Sequence, residues 1–451
     1  MSFFNRKPKN VAKGVIEKIG EAKENKTFTC PFCFAEYDKT KLKYFCVECG
    51  NEYIGDWTDK IKGEAVCRNE DCEAHKLKAK TIKAVVCANK KCGEFSEEER
   101  ETETKDRAGN VSKNVYKIGT YSKYVDDDGY TEALDKQEWT EKLREHDLPL
   151  TARDAARKVP LCIIGITASG KTNFITTATE ELKHVDGKDF TFIEADKETR
   201  RKHKEDKGIV YGNHSFIEAT AKNAFDENLR PQLWELKKSN SKSYCITVYD
   251  GAGEDHYENI DVTSNICGYI KASKAIILTL DPLLLNSMKN IDEDIKEASG
   301  ANANEGYETD DTVHIVKRLA EYIRQIQGIK NAKKIDIPIA IVMTKFDVIL
   351  QSESLPDNAL LQKSSVPYSD GKVITGELEQ IHTELKDWLC KMGEGSFITA
   401  LDLEFKNYKF FGVSSVGAKG VIDFKNDDYE IRPHRVLDPI LWILKEEHVL
   451  D

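Results

Sequence analysis

Eight residues near the middle of the chain constrain the fold most strongly, because they combine two glycines, a lysine and a threonine at a fixed spacing. Residues 165–172 read Gly-Ile-Thr-Ala-Ser-Gly-Lys-Thr. They follow an apolar run, residues 159–164, and precede a helix-like segment, residues 173–182. A glycine-containing turn between a strand and a helix can direct successive backbone N–H groups at an anion, and the helix start adds its positive end. The pattern therefore predicts a phosphate-binding loop at the end of a strand.

The chemistry of this loop assigns a role to each key position. Gly165 and Gly170 permit the tight turn. Lys171 supplies a mobile cation for the β- and γ-phosphates, and the Thr172 hydroxyl ligates Mg²⁺. An ordinary glycine-containing turn is the alternative, and the agreement of pattern with context disfavours it. The residues expected to contact a bound nucleotide are Gly165, Thr167, Ala168, Ser169, Gly170, Lys171, Thr172 and Asn173.

Three further apolar runs, each followed by a segment that carries an acid, read as buried parallel strands. They are residues 244–249 before Asp250, residues 274–280 before Asp281, and residues 337–343 before Thr344–Asp347. An acid at the carboxyl end of such a strand can hold Mg²⁺ through water. We expect Asp250 to do so, and we expect Gly253 to offer its N–H to the γ-phosphate.

The residues after the third of these runs, Thr344–Asp347, predict which base of a nucleotide is bound. The Asp347 carboxylate can accept two hydrogen bonds, from the guanine ring N–H and from its exocyclic amine. Adenine lacks that pair of donors and would leave the buried acid unsatisfied. The stem of Lys345 can lie over the base, beside Thr344. A fourth apolar run, residues 410–413, leads into Ser414 and Ser415, whose loop suits a backbone contact with the guanine carbonyl.

These four elements, in this order, resemble the G1, G3, G4 and G5 motifs of P-loop GTPases of the translation-factor-related and Ras-like branch. The resemblance covers residues 158–450. It implies an α/β fold with a mostly parallel, doubly wound sheet and the Mg²⁺-dependent hydrolysis of GTP to GDP and phosphate. The residues it places in catalysis are Lys171, Thr172 and Glu254. Thr344 stands where Asn is usual in the family, and Glu254 stands where many relatives carry a Gln that orients the attacking water.

The mobile switch of such a GTPase is poorly marked in this sequence. Relatives use a Thr between the first helix and the Mg²⁺-binding strand, and both Thr199 and Thr220 lie in that interval. The charge-dense residues 196–207 are expected to be mobile without nucleotide. Arg200 and Arg201 are expected at the surface. No arginine finger is therefore assigned, and turnover should be slow until a partner or dimer mate completes the site.

Eight of the twelve cysteines lie in the first hundred residues and are spaced as metal ligands. Four thiolates suit tetrahedral Zn²⁺, and two sets of four predict two zinc ribbons. Disulfides or redox thiols are the alternatives; a cytosolic chain without a signal peptide disfavours the first, and the absence of a neighbouring βαβ pattern disfavours the second. The predicted ligands are Cys30, Cys33, Cys46 and Cys49, and then Cys67, Cys72, Cys87 and Cys92. The other cysteines, Cys162, Cys245, Cys267 and Cys390, are expected to pack as small hydrophobes.

Composition and charge suggest how the 451 residues are divided. The net charge of −11 disfavours general nucleic-acid binding. No apolar stretch is long enough to span a bilayer, so a cytoplasmic protein is expected. The predicted parts are a basic tail (1–29), two zinc ribbons (30–53 and 62–95), a linker and docking segment (96–157) and the GTPase domain (158–451).

The partner is predicted only by class. Zinc ribbons followed by this GTPase pattern resemble the bacterial double-GTPase group of conflict and defence systems. That resemblance implies a nucleotide-dependent switch in antiviral defence, whose ribbons bind a protein. Two long insertions, residues 286–331 and 352–371, are further candidate partner sites, and a nucleotide-dependent dimer is also considered. An ATPase and a non-hydrolysing nucleotide-dependent scaffold are the alternative functions.

Overall fold

The computed structural model divides the chain into two compact units, which are described separately. One comprises Met1–Lys158 with Lys242–Tyr244, and the other Val159–Ser241 with Cys245–Asp451. The structure describes residues 155–165, 169–217, 231–250, 270, 272–285, 312–330, 332–352, 354–417 and 430–451. It also describes short segments nearer the amino terminus, at 27–29, 36–38, 42–46, 52–55, 65–66, 69–76, 80–84, 98–105 and 111–118. The predicted five-part division stays a prediction.

The first unit contains short antiparallel sheets. Strands β1 (Thr27–Thr29) and β2 (Glu36–Asp38) form one pair. A four-stranded sheet has the order β4-β3-β6-β5. Its strands are β3 (Leu42–Cys46), β4 (Glu52–Gly55), β5 (Ala65–Val66) and β6 (Lys80–Ala84), with helix α1 (Glu73–Lys76) between the last two.

The segment predicted as a linker contains a β-hairpin. Strand β7 (Glu98–Lys105) pairs antiparallel with β8 (Val111–Ile118). The hairpin lies within residues 96–157, and their assignment as a linker and docking segment stays a prediction. The sequence of the hairpin lacks an apolar period, but the register sets Glu99 opposite Lys117 and Glu103 opposite Lys113. Opposite charges at facing positions favour strand pairing without a hydrophobic face.

The second unit is built on a seven-stranded sheet with the order β10-β11-β12-β9-β13-β14-β17. The pairs β9/β13, β13/β14 and β14/β17 are parallel, and β10/β11 is antiparallel. This confirms the predicted α/β fold with a mostly parallel sheet. The strands are β9 (Arg157–Gly165), β10 (Phe190–Glu194), β11 (Gln232–Lys238), β12 (Ser243–Asp250), β13 (Ala275–Leu280), β14 (Ile339–Met343) and β17 (Tyr408–Gly412).

The centre of this sheet is buried along its whole length. Every residue of β13 and of β14 is buried, and all but Thr279 are apolar. Such nearly continuous apolar strands are typical of parallel sheets covered by helices on both faces. The carboxyl ends of β9, β13, β14 and β17 meet at one edge, because these strands are parallel neighbours. Polar residues that follow these strands are therefore brought together at that edge.

Helices and short turns connect the strands. The described helices of this unit are α2 (Lys171–Lys183), α3 (Lys197–Lys207), α4 (Thr312–Gln327), α5 (Asp347–Gln351), α6 (Thr375–Lys391), α7 (Gly395–Glu404) and α8 (Asp438–Glu446). A π-helical turn (Gly208–Gly212) follows α3, and 3₁₀ turns lie at Pro282–Leu284 and Leu360–Gln362. A small hairpin pairs β15 (Tyr368–Ser369) with β16 (Lys372–Val373). None of the described helices is both long and apolar enough to cross a membrane.

The charge-dense segment 196–207 contains a helix, and one expectation about a cysteine is wrong. Residues 197–207 form helix α3, and the Asp196 carboxylate caps its first turn by accepting a hydrogen bond from the Thr199 N–H at 2.7 Å. The expected mobility of this segment without nucleotide stays a prediction. Cys162 and Cys245 are buried as predicted, but Cys390 is exposed. Cys390 lies one residue past the buried stripe of α6, which ends at Leu389. Cys267 lies outside the described residues.

Candidate nucleotide-binding site

A buried lysine, Lys171, follows the loop after β9 and contacts the last residue of that strand. Gly170 has φ of 75° and immediately precedes α2, so the chain turns there in a conformation that glycine adopts easily. The Lys171 ammonium donates to the Gly165 carbonyl oxygen at 3.0 Å. Burial lowers the pKa of Lys171 to about 8, and the charge of Asp250 acts in the opposite direction. An ammonium with this poor solvation is suited to bind an anion. Thr167 and Ala168 lie outside the described residues.

Gly165 is required by packing as well as by the turn. A Cβ at this position would lie 2.0 Å from the Thr279 hydroxyl oxygen and 2.8 Å from that of Ser169. These two hydroxyls are hydrogen-bonded at 2.9 Å and are fully buried. Sequence reasoning did not single out Thr279, although a lone Thr inside the apolar strand β13 was the available signal.

A hydroxyl and a carboxylate meet where a divalent cation would be held. The Thr172 hydroxyl, in the first turn of α2, donates to the Asp250 Oδ2 atom at 2.8 Å. Asp250 ends β12, the sheet neighbour of β9. Burial raises the pKa of Asp250, while Lys171, the Thr172 hydrogen bond and Lys202 act to lower it. A buried carboxylate beside a hydroxyl forms an oxygen pair of the kind that Mg²⁺ binds.

Asp347, the acid predicted to bind the base, is also buried and oriented. Asp347 begins α5, and the Ser414 hydroxyl donates to its Oδ1 atom at 2.7 Å. Burial raises the pKa of Asp347 to about 6, against the effect of that hydrogen bond. The backbone N–H of Ser414 donates to the His434 carbonyl oxygen at 3.0 Å, so Ser414 approaches Asp347 through its side chain. The Ser415 hydroxyl lies 3.3 Å from that of Thr177 on α2.

The structure gives Thr344 a contact that the sequence did not indicate. Its hydroxyl lies 2.6 Å from the Ser169 carbonyl oxygen and 3.0 Å from that of Leu280. Thr344 follows β14, and Ser169 belongs to the loop after β9. The loop after β9 and the segment that carries Asp347 are therefore held together directly.

Lys345 and Asn173 likewise have partners within the fold. The Lys345 ammonium lies 2.6 Å from the Asp281 Oδ2 atom. The Asn173 side-chain oxygen accepts a hydrogen bond from the Ile217 N–H at 3.1 Å. Asn173 thus binds the chain that returns after the π-helical turn.

The switch candidates divide into described and undescribed residues. Thr199 is buried, and its hydroxyl accepts a hydrogen bond from the Leu233 N–H at 2.8 Å, which ties α3 to β11. That hydroxyl therefore has a structural partner. Arg200 and Arg201 are exposed, as predicted. Thr220, Gly253 and Glu254 lie outside the described residues, so their roles stay predictions.

A charged cluster that sequence reasoning missed connects α2 with α3. The Glu180 carboxylate accepts from His203 at 2.9 Å and from Lys207 at 2.5 Å, and Lys183 lies 3.4 Å away. Burial acts to raise the pKa of Glu180, but the hydrogen bonds from His203 and Lys207 hold it below its usual range. Helix α2 is therefore anchored to helix α3.

The predicted zinc ligands fall almost entirely outside the described residues. Cys46 is the last residue of β3, and Cys72 is buried just before α1. Among the described residues, no group of three or more His, Cys, Asp or Glu side chains is arranged to hold a metal ion. The two zinc sites stay predictions.

Comparison with known proteins gives weak structural likenesses. No protein-family model matches the sequence, and no curated protein matches it significantly. Among 36 matching solved chains are the Arl6 BBS3 small GTPase of Trypanosoma brucei with the nucleotide analogue GppNp (10% identity, TM-score 0.27), Sup35 with GDP (12%, 0.23) and the Ski7 GTPase-like domain of S. cerevisiae with GTP (12%, 0.28). The matches cover 65%, 58% and 65% of this chain, and 99%, 38% and 50% of those chains.

These identities and TM-scores are too low to define the class of this protein. The class is therefore defined by the strand order and by the side chains of the site. Together these define an α/β protein with a mostly parallel sheet. A lysine, a threonine and two aspartates are gathered near the ends of strands β9, β12 and β14.

Proposed function

We propose that this protein is a Mg²⁺-dependent GTPase that binds GTP and hydrolyses it to GDP and phosphate. The observation that carries the proposal is the contact of 2.6 Å between the Thr344 hydroxyl and the Ser169 carbonyl oxygen. It joins the two segments that a nucleotide must contact at once, one at the phosphates and one at the base. A site assembled in this way fits a nucleoside triphosphate better than it fits a simple phosphate ester.

The side chains near the Gly165 turn are suited to stabilise the negative charge that develops on the phosphates during hydrolysis. Lys171 would move its ammonium from the Gly165 carbonyl to the β- and γ-phosphate oxygens, where it offsets negative charge in the transition state. Thr172 and Asp250 are the residues that would hold Mg²⁺, directly or through water. A Mg²⁺ ion held there would supply electrostatic neutralisation of the phosphate charge. Glu254 is proposed, from the sequence, to orient the attacking water.

The surroundings of Asp347 favour the binding of a guanine base. The Asp347 carboxylate is kept in place by Ser414 and can accept hydrogen bonds from the ring N–H and the exocyclic amine of guanine. Adenine offers no such pair of donors, and a buried carboxylate left without a partner is costly. The proposed order of binding strength is therefore guanine over adenine nucleotides.

We also propose, from the cysteine spacing, that two zinc ribbons precede the GTPase unit and bind a protein partner. A role as a switch in bacterial antiviral defence is a further proposal, which comes only from the sequence resemblance. A cytoplasmic location and a nucleotide-dependent dimer are also proposed from the sequence. Metal analysis of the purified chain is expected to give two zinc ions per chain. A Cys30→Ser, Cys33→Ser double variant should lose one of them and keep nucleotide binding.

The main experiment compares nucleotides on the purified full-length protein. Equilibrium titration with fluorescent GTP and ATP analogues in Mg²⁺ is expected to show a strong preference for guanine, together with slow phosphate release. The Asp347→Asn variant should shift the preference toward xanthosine nucleotides. Equal binding of GTP and ATP would favour an ATPase and refute the guanine assignment. Tight GTP binding without phosphate release, even with a partner present, would instead indicate a non-hydrolysing scaffold.

A further inference from the structure

Asp281 is a buried acid with both of its carboxylate oxygens engaged. It follows β13 and is 1% exposed. Its Oδ1 atom accepts a hydrogen bond from the Leu283 N–H at 3.0 Å, which fixes the side chain at the start of the 3₁₀ turn Pro282–Leu284. Its Oδ2 atom lies 2.6 Å from the Lys345 ammonium. The orientation of this carboxylate is therefore set by its own turn, independently of any ligand.

Lys345 is held in an uncommon conformation beside that acid. Its φ of 51° lies in the left-handed region, which few residues other than glycine adopt. Such a conformation persists when surrounding contacts determine it. The Asp281 ion pair is one of those contacts, since the side chain of Lys345 is only 18% exposed and its charge has a partner at contact distance.

Asp281 is occupied within the fold, and the side chain it pairs with lies next to the acid proposed to bind the base. Both Asp281 oxygens have protein partners, and Lys345 lies two residues from Asp347 on the same turn. Asp281 also acts on the recognition acid through its charge. Burial is the main cause of the raised pKa of Asp347, Lys345 opposes it, and Asp281 adds to it.

We propose that Asp281 is a positioning residue that determines nucleobase selectivity, by holding the Lys345 side chain in place beside the Asp347 carboxylate. This inference rests on the proposed guanine-nucleotide binding and names a residue that sets its selectivity. The ligand class is a guanine nucleotide, and the recognition unit comprises Asp281, Lys345 and Asp347. The competing explanation is that Asp281 only caps its own 3₁₀ turn and supports the fold.

A double-mutant cycle separates these explanations. Asp281→Asn, Lys345→Met and the combined variant are titrated with fluorescent GDP and ADP in Mg²⁺. The Asp281→Asn change is expected to weaken GDP binding by about tenfold and ADP binding by less than about twofold, because the phosphate contacts remain. In the Lys345→Met background the same change should alter GDP binding by less than about twofold, because the residue through which Asp281 acts is gone.

Asp438→Asn is the matched control. Asp438 is as deeply buried as Asp281 and is paired with Arg435 at 2.6 Å. This change should lower thermal stability and leave the ratio of GDP to ADP affinity unchanged. Equal loss of GDP and ADP affinity in Asp281→Asn, or additive losses in the cycle, would overturn the positioning role while leaving the proposed function intact.

The unmodified protein could fail to discriminate between GDP and ADP, and the Asp281→Asn variant could fail to fold. If the unmodified protein binds GDP and ADP equally, the guanine assignment fails before any variant is tested, and this inference fails with it. If Asp281→Asn does not fold, Lys345→Arg and Lys345→Met carry the test. Arginine can keep the pair with the Asp281 carboxylate, so Lys345→Arg should retain most of the GDP preference that Lys345→Met loses. Equal loss in both would overturn the proposal.

Discussion

The Thr344 hydroxyl lies 2.6 Å from the Ser169 carbonyl oxygen, although 175 residues separate them in the chain. This contact connects the segment that carries Asp347 to the loop after β9. In the proposed site that loop binds the phosphates and Asp347 binds the base, so both ends of the proposed site would depend on one side chain.

Removal of that hydroxyl should loosen the whole site. Thr344→Val keeps the shape of the side chain but leaves the buried Ser169 carbonyl without this donor. We expect GDP affinity to fall about tenfold, which corresponds to the loss of roughly one buried hydrogen bond. Thr344→Ser is the control, because it keeps the hydroxyl and should change affinity little. Equal weakening by both substitutions would contradict the role of the hydroxyl, and fluorescence titration measures both.

The Thr172–Asp250 pair predicts how the protein depends on metal. Thr172→Ala removes a hydroxyl oxygen from the proposed Mg²⁺ site, and Asp250→Asn removes its negative charge. Phosphate release should fall by about a hundredfold or more, and the Mg²⁺ concentration needed for half-maximal turnover should rise. Chelation of Mg²⁺ with EDTA should stop turnover of the unmodified protein. Unchanged Mg²⁺ dependence in both variants would place the metal elsewhere.

Replacement of Lys171 by a neutral residue is expected to abolish catalysis. Lys171→Ala should abolish nucleotide hydrolysis, because it removes the buried ammonium that donates to the Gly165 carbonyl oxygen and is proposed to bind the phosphates. Single-turnover phosphate release measures the effect. Lys183→Ala is the control, since that lysine pairs with Glu180 on the same helix and should leave turnover within about twofold. Persistent turnover in Lys171→Ala would refute the phosphate-loop assignment.

The pKa of Asp347 predicts a pH dependence of base selectivity. Burial raises this pKa to about 6, so the carboxylate is protonated in a growing fraction of molecules as pH falls below that value. A protonated acid loses acceptor capacity for guanine. GDP affinity should therefore fall by up to about tenfold per pH unit below pH 6. ADP carries the same phosphates and serves as the reference, so the ratio of the two affinities is the quantity to measure. A constant ratio between pH 5 and 7 would contradict the prediction.

The burial of Asp347 also predicts that its negative charge lowers the free energy of unfolding of the nucleotide-free protein. Because the pKa of Asp347 is raised in the folded state, its stabilising contribution is present below the unfolded-state pKa near 4 and is lost as pH rises through about 6. Asp347→Asn removes the buried charge and should raise the free energy of unfolding at pH 7 by about 1–3 kcal/mol. Denaturant titration without nucleotide measures this. No gain at pH 7, or an equal gain at pH 4, would contradict it.

Local patterns in the sequence predicted much of the second unit. The apolar runs at β13 and β14 and the helix after Gly170 were predicted within a few residues of their observed bounds. Such patterns reflect backbone periodicity and turn chemistry, which depend on neighbouring residues only. The hairpin β7/β8 and the helix α3 were missed, because both segments are dense in charge and have no clear apolar period.

The amino-acid sequence by itself determined which side chains could contact phosphate, Mg²⁺ and guanine, because glycine spacing and strand-ending acids are local features of the chain. Only the tertiary structure decided how those side chains are supported. The contacts of Ser169 with Thr279, of Asp281 with Lys345 and of Thr344 with Ser169 join residues 110, 64 and 175 positions apart. Each forms because parallel strands place their carboxyl ends side by side, and strand order in a sheet depends on the packing of the whole chain.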